Sequence, residues 1–253
     1  MVPESAFGDE LLVCISGASE QAYLDLRRRY GLPRSRHEVL IPNGIVFNEA
    51  AVRLDRSTVA RAIGDGHARR LVCFAGRLTY QKGFDVLISA MERLPTSLLE
   101  RLELHAFGQG EKLDEYVARV RKGRLPIYFH PVQYRISRMF SGFDAVVMPS
   151  RYEGLPLIAL EALAAGVPLI ATRAPGLDEI LPPDWPLAVP PEDPDALAAV
   201  LTEFLSERFD MAGASLRAAA WVQSRFDLAT MVEAYEAAYR SFLACRVSTA
   251  PEG

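Results

Sequence analysis

Along most of this chain, short runs of apolar and β-branched residues alternate with longer stretches in which apolar positions recur every three or four residues. The short runs, at residues 11–15, 38–41, 71–75, 102–107, 127–129, 145–148 and 169–171, predict strands. The periodic stretches predict helices over 18–30 and 84–94, from 112, around 136–140, and over 158–165, where Gly166 supplies the usual stop. Pro182-Pro183 and Pro190-Pro191 mark loops, and three further helices are expected over 194–205, 211–222 and 228–243. Residues 249–253 carry negligible apolar content and are predicted to be disordered. Strand and helix in alternation point to an α/β fold, a doubly wound, mostly parallel sheet covered on both faces.

One turn breaks this regularity. A sheet beginning at residue 71 cannot easily place two earlier strands across Pro42-Asn43-Gly44, so residues 1–44 stand apart from a main unit at 45–226 and a closing helix with its tail at 227–253.

Polar chemistry gathers after two of the predicted strands. Gly76-Arg77-Leu78-Thr79-Tyr80-Gln81-Lys82-Gly83 follows the strand at 71–75, so two cations stand at a strand's carboxyl end, where open α/β sheets bind ligands. Arg makes a planar two-pronged contact to phosphate oxygens and Lys is a compact point charge, so together they suit a diphosphate. Replacing either is expected to weaken diphosphate binding and to leave the melting temperature nearly unchanged. The plainer alternative, a solvated loop, explains one such cation more easily than a Gly-flanked pair. After the strand at 145–148 comes Ser150-Arg151-Tyr152-Glu153-Gly154-Leu155-Pro156-Leu157, then a helix carrying Glu161. A strand, a Gly turn and a helix start bring free backbone N–H groups to one point, where negative charge is favoured. Glu153 in the loop and Glu161 in the helix behind it would reach different parts of one ligand. Read alone, they are also compatible with a solvated loop charge and an exposed helix residue.

With both segments in one chain, the sequence resembles the nucleotide-sugar glycosyltransferases of the GT-B fold, in particular the retaining group called family 4, to which glycogen synthases are more distantly similar. The resemblance rests on Gly76-Arg77 with Lys82-Gly83, Phe107-Gly108-Gln109-Gly110, Pro149 to Pro156 with Glu161-Ala162, Ala165-Gly166-Val167-Pro168, Pro175-Gly176 and Glu179, in the family's order. It implies that the chain is the C-terminal, donor-binding half of such an enzyme, preceded by a remnant of the N-terminal Rossmann-like domain that ends at Ile41-Pro42-Asn43-Gly44. Val46 and Phe47 then stand where an acidic residue is usual. The same resemblance gives Arg77 and Lys82 to the donor diphosphate, Glu153 to the transferred sugar and Glu161 to the ribose hydroxyls. It places Gly76, Gly108 and the backbone around Gly154, Leu155, Pro156 and Leu157 against sugar and phosphate, and His130 and Val132 near the nucleobase. The implied donor is a UDP-, GDP- or ADP-sugar, the acceptor a hydroxyl of a glycan, lipid or small molecule, and no cofactor or protein-bound metal is required. The acceptor pocket would belong to an N-terminal domain supplied in cis or in trans, so the chain alone is expected to bind nucleotide with little or no transfer. The alternative is a nucleotide-sugar-binding module, inactive unless a separate N-terminal chain docks.

Composition narrows the classes further. Half of the 253 residues are hydrophobic and 24% charged, as in a soluble globular protein, and a net charge of −4 argues against generic nucleic-acid binding. No apolar run is long enough for a membrane span and no signal sequence opens the chain, so a cytoplasmic setting is expected, with any peripheral membrane contact through the N-terminal half. Cys14, Cys73 and Cys245 form no CxxC pair, and the four histidines have no metal-ligand spacing. Within its strand His105 reads as packed or hydrogen-bonded, whereas His37 and His67 read as loop residues. Gly108-Gln109-Gly110 is as compatible with a tight turn as with a phosphate-binding loop. Glu179 reads equally as a site residue or a helix-start acid. Met231, Tyr235, Ala238, Tyr239 and Phe242 predict a core-facing stripe on the last helix.

Overall fold

The computed structural model describes residues 10–47, 54–63, 69–208 and 210–248. The expectations for His67 and for the tail at 249–253 lie outside these residues. Two sheets form. In the smaller, β1 (Leu11–Cys14) pairs in parallel with β2 (His37–Leu40), Leu11 opposite His37 and Cys14 opposite Leu40. A parallel pair needs a crossover, and α1 (Gly17–Tyr30) provides it. Reciprocal Ser16–Ser19 bonds cap its start, and Gly31 ends it with a left-handed φ of 62°. His37 is thus a strand residue and not a loop residue, because the register opposite Leu11 draws it into the pairing, and its ring meets Phe242 edge-on at 5.0 Å.

The larger sheet contains β3 (Arg70–Ala75), β4 (Leu102–Phe107), β5 (Ile127–His130), β6 (Ala145–Met148), β7 (Leu169–Thr172) and β8 (Ala188–Val189). Its order is β5-β4-β3-β6-β7-β8, with every pairing parallel. The accompanying helices are α2 (Arg56–Ile63), α3 (Phe84–Met91), α4 (Thr96–Leu99), α5 (Leu113–Gly123), α6 (Leu157–Ala164), α7 (Pro194–Leu205), α8 (Met211–Arg225) and α9 (Leu228–Ser248). α3 packs on α5 and α7, and α6 packs on α8. β4, β6 and β7 are buried along their whole lengths, and β6 and β7 read accordingly as apolar runs, whereas β4 alternates, with Glu103 and His105 between Leu102, Leu104 and Ala106. The chain fills one side of β3 with β4 and β5, then crosses to fill the other with β6, β7 and β8. The loops after β3 and β6 therefore diverge at the middle of the sheet, and the crevice between them is where this topology binds ligands.

Three elements escape the hydrophobic pattern. β8 has two residues, too few to show a period, and α4 has four. α2 lies in a largely polar segment, although Asp55 accepts a bond from the Thr58 N–H at 2.8 Å, as an N-cap residue does. The helix expected around 136–140 is a 3₁₀ helix, Ile136–Gly142, entered through a left-handed Arg135. α3 stops at Met91, and three-residue bonds from Arg93 to Ala90 and Leu94 to Met91 tighten the chain ahead of Pro95.

Past β2 the chain is stitched to the start of α9. Ile45 bridges Asp227, donates to the Phe226 carbonyl at 2.8 Å and accepts from the Leu228 N–H at 3.1 Å. Gly44 approaches so closely that a Cβ would stand 2.7 Å from the Asp227 carbonyl oxygen. Along α9, Met231, Tyr235, Ala238 and Phe242 are buried or half-buried as the spacing predicts. Tyr239, one position past Ala238 and so turned off the stripe, is 53% exposed. No helix among the described residues is long and apolar enough to cross a membrane.

Candidate functional site

Five loops meet at the carboxyl edge of the large sheet, and close backbone contact holds them together. The loop after β3 is anchored by the fully buried Leu78, whose amide donates to the Gln109 carbonyl at 2.9 Å and whose carbonyl accepts from Lys112 at 3.1 Å. A Cβ at Gly108 would lie 1.9 Å from the Gly76 carbonyl oxygen, and one at Gly110 would lie 2.3 Å from that of Leu78. Both glycines are therefore accounted for by this packing of one loop on another. Gly83 closes the 3₁₀ turn Tyr80–Lys82 with φ 63°, and a Cβ there would stand 1.9 Å from the Pro149 carbonyl oxygen. The loops after β3 and β6 are thus in backbone contact, and Gln81 adds bonds from its carbonyl to the Arg151 N–H at 2.9 Å and from its amide to the Tyr152 carbonyl at 3.0 Å.

At this junction Lys82 and Glu153, which the family resemblance assigns to different parts of a ligand, meet each other. Lys82 Nζ donates to Glu153 Oε1 at 2.7 Å and Oε2 at 2.9 Å, and Ser150 Oγ donates to Oε1 at 2.6 Å. The pair is well shielded, with side chains 17% and 6% exposed. Ser150 is fixed in turn by Thr172 Oγ1 donating to its carbonyl at 2.5 Å, and the Glu153 N–H donates to the Pro175 carbonyl at 2.9 Å. Arg77 differs from Lys82. It is exposed, and the one side-chain hydrogen bond it makes among the described residues runs to Gln81 Oε1 at 3.3 Å.

Behind Glu153, α6 starts at Leu157 after Pro156 without a side-chain cap. The N–H groups of Gly154, Leu155, Leu157 and Ile158 have no partner among the described residues, so they form a concentration of positive dipole ends. Leu155 is buried and Leu157 is 46% exposed. Glu161 lies one turn further along α6, half-buried, its carboxylate with no hydrogen bond or ion pair among the described residues. Burial raises its pKa above the ordinary carboxylate value.

At the end of β5, His130 Nε2 is 2.9 Å from His105 Nδ1, and the His130 ring stacks on Phe107 with centroids 4.6 Å apart. His105 is therefore packed and hydrogen-bonded, as its strand position predicts, and its Nε2 is 3.5 Å from Glu103. Val132, beyond the strand, is 60% exposed. Burial lowers the His130 pKa. A histidine depressed in the fold contributes stability above its unfolded pKa, about 6.5, and loses it as pH falls through the folded value. His130→Asn should accordingly flatten the loss of stability below about pH 6.5, read by urea denaturation across a pH series; an unchanged acid limb would assign that loss elsewhere.

Glu179 is a helix-start acid, but for a helix far away in sequence. Its carboxylate accepts from the Gly17 N–H at 2.8 Å and the Ala18 N–H at 2.9 Å, capping α1 from the loop after β7. Ile15 in turn reaches over Gly154, with Cδ1 3.4 Å from where a Cβ would sit. The topology thus brings Gly76, Arg77, Lys82, Gly108, His130, Val132, Glu153 to Leu157 and Glu161 to one edge. Gln81 and Arg151 are additions that a sequence pattern does not offer, because their partners lie 41 to 71 residues away. Among the described residues no group of three or more His, Cys, Asp or Glu side chains could hold a metal ion.

Comparison with known proteins bears on the family and the fold. The family described as glycosyl transferases group 1 matches residues 55–220. Curated relatives include an uncharacterized glycosyltransferase of Methanocaldococcus jannaschii, 33% identical over 182 residues, covering 66% of this chain and 45% of the relative. A lipopolysaccharide core biosynthesis mannosyltransferase of Rhizobium meliloti is 26% identical over 220 residues, covering 80% of this chain and 62% of its own. Among solved structures, Anabaena HepE in complex with UDP and glucose aligns with a TM-score of 0.80 at 21% identity, over 91% of this chain and 63% of that one. Sucrose-phosphate synthase from Thermosynechococcus elongatus aligns with a TM-score of 0.76 at 24% identity, over 92% and 58%. These structures share the Rossmann-like fold of GT-B glycosyltransferases with this chain. The chain spans about half the length of the curated relatives it matches.

Proposed function

The chain belongs to the glycosyl transferases group 1 family, and on that premise we propose that it is the donor-binding half of a retaining, family 4-type enzyme. It transfers a sugar from a nucleotide-sugar to an acceptor hydroxyl on a glycan, lipid or small molecule. The observation that carries this reading is the shielded Lys82–Glu153 pair at the sheet's switch point, flanked by the exposed Arg77 and the uncapped start of α6. Such a crevice offers cations and N–H dipoles for a diphosphate and a fixed carboxylate beside them for a sugar.

In the proposed reaction the sugar–phosphate bond loosens first, and negative charge accumulates on the departing diphosphate. Arg77, Lys82 and the N–H groups from Gly154 to Ile158 are already arranged to stabilise it, and preorganised charge of this kind is often the largest contribution to catalysis. Lys82 then shifts its charge partly from Glu153 to phosphate, leaving Glu153 to accept from sugar hydroxyls. Glu161 holds the ribose, and the His130–Val132 loop meets the base, beside Gly76 and Gly108. The acceptor hydroxyl attacks from the face the diphosphate leaves, and a phosphate oxygen takes its proton. No protein-bound metal takes part. The acceptor pocket belongs to an N-terminal domain, in cis or in trans, of which residues 1–44 are the end. The setting is cytoplasmic, with any membrane contact through that domain.

Calorimetric titration with UDP, GDP, ADP and their sugar conjugates tests the proposal. Since HepE was crystallised with UDP and glucose, the uridine series is the first arm. The expected result is binding of one diphosphate and its sugar conjugate, with little transfer until the N-terminal domain is added. Binding of none would overturn the donor assignment, and vigorous transfer by the chain alone would overturn the half-enzyme reading.

A further inference from the structure

The two loops that carry Lys82 and Glu153 leave the sheet with no strand ladder between them. β3 and β6 pair only at Val72 with Ala145 and Cys73 with Val146, so their ladder ends before either loop begins. To the backbone contacts of Gly83 with Pro149 and of Gln81 with Arg151, the side chain of Arg151 adds a further tie. Its Nη1 and Nη2 donate to the two carboxylate oxygens of Asp85, at the start of α3, at 2.9 and 2.8 Å. Nη1 also donates to the Tyr80 carbonyl at 2.6 Å, and Nε donates to Glu192 at 2.7 Å. The guanidinium lies 3.8 Å above the centre of the Tyr80 ring, and the Tyr80 hydroxyl donates to the same Glu192 oxygen at 3.1 Å.

Three loops therefore close around one cation, and the third, between β8 and α7, does so with Glu192 in a left-handed conformation at φ 59°. The Arg151 side chain is 10% exposed, its guanidinium bonded to Asp85, the Tyr80 carbonyl and Glu192. Glu153, two residues on, turns instead to Lys82 and Ser150.

We propose that Arg151 is a positioning residue of the donor site, clamping the loops after β3 and β6 so that Lys82 and Glu153 stand in register before any ligand arrives. The donor part of this rests on the function proposed above; the clamp does not. A planar fork is essential to it, because a lysine ammonium in the same place cannot serve both Asp85 oxygens, Glu192 and the Tyr80 carbonyl together.

Arg151→Lys keeps the charge and removes the fork. The energetic coupling of Lys82 to Glu153 is measured by a double-mutant cycle in urea, in the wild-type and the Arg151→Lys backgrounds. The Arg69–Glu103 ion pair at the opposite edge of the sheet is cycled in parallel. The expected result is that the Lys82–Glu153 coupling falls by at least half while the Arg69–Glu103 coupling is unchanged. Asp85→Asn, which weakens the clamp from the other side, should reproduce it and serves if Arg151→Lys does not fold. Equal coupling in both backgrounds, or equal losses at both pairs, would overturn the proposal in favour of a general contribution to stability.

A UDP-glucose titration forms the second arm. Arg151→Lys should weaken binding by about two- to thirtyfold, and combining it with Lys82→Ala should weaken binding no further than Lys82→Ala alone. Lost coupling in a chain that binds no nucleotide would sustain the clamp and overturn the donor function. Retained coupling in a chain that binds nucleotide would overturn the clamp alone.

Discussion

Glu153→Ala is expected to destabilise the free protein by roughly 3 kcal/mol, the low end of the cost of stripping one partner from a shielded ion pair. The cause is Lys82, whose ammonium loses both its carboxylate bonds while remaining 17% exposed. The Ser150 hydroxyl loses its acceptor as well. In a chain of this size that corresponds to about 6–12 °C in melting temperature. Nucleotide diphosphate should reverse the pattern, because phosphate supplies Lys82 with the negative charge it has lost. UDP affinity should be preserved or increased in Glu153→Ala, while affinity for the sugar conjugate falls. The double variant Lys82→Met/Glu153→Leu, which removes both charges, should regain most of the stability and bind neither ligand well. Urea denaturation and calorimetry on the same preparations decide the matter. A loss below about 1 kcal/mol would place the pair among surface salt bridges. The geometry also revises the expectation that Lys82 can be replaced without thermal cost: Lys82→Ala leaves Glu153 buried with Ser150 alone, so Arg77→Ala is the cleaner test of diphosphate binding.

Glu161→Gln should act in the opposite direction on the free protein. Burial holds the Glu161 pKa above its ordinary value. Stability from a group raised in this way is fully present below the unfolded pKa and is lost as pH rises through the folded one. The glutamine variant escapes that loss, so it should be more stable than wild type at neutral pH, and the difference should vanish towards acid. Binding should suffer nonetheless. A ribose hydroxyl donating to a carboxylate makes a charge-assisted bond, and its replacement should weaken UDP and UDP-sugar alike, by roughly ten- to hundredfold. With a 2′,3′-dideoxy nucleotide the two proteins should bind equally. Equal weakening of the dideoxy and natural ligands would remove Glu161 from the ribose, and identical behaviour of Glu153 and Glu161 variants would dissolve the division of labour between them.

Much of the fold was legible because buried parallel strands announce themselves as apolar runs, and residues 71–75 and Ala145–Met148 are of that kind, whereas Leu102–Phe107 sets Glu103 and His105 between its apolar residues. Spacing also placed Glu153 in a loop and Glu161 on the helix behind it. What spacing could not disclose is that Lys82 lies against Glu153, since the 71 residues between them are closed only by the crossing from β5 to β6. Arg151 was hidden for the same reason and a second one: a lone loop arginine has no local signature until Asp85, Tyr80 and Glu192 surround it. Gly108 and Gly110 were ambiguous because a turn demanded by a neighbouring backbone and a turn demanded by a phosphate look identical in one dimension. Glu179 was half legible, its chemistry as a helix-start acid being correct while the helix it serves begins 162 residues earlier.

The Ile45–Asp227 bridge fastens the chain just past β2 to the root of α9, and the His37–Phe242 ring contact fastens β2 itself further along the same helix, so the β1–α1–β2 unit is tied to α9 at both points. On the other side of the unit Glu179 holds Gly17 and Ala18, and Ile15, two residues before Gly17, lies over Gly154. Loss of the Glu179 carboxylate is therefore expected to loosen Ile15 over Gly154 as well as the start of α1.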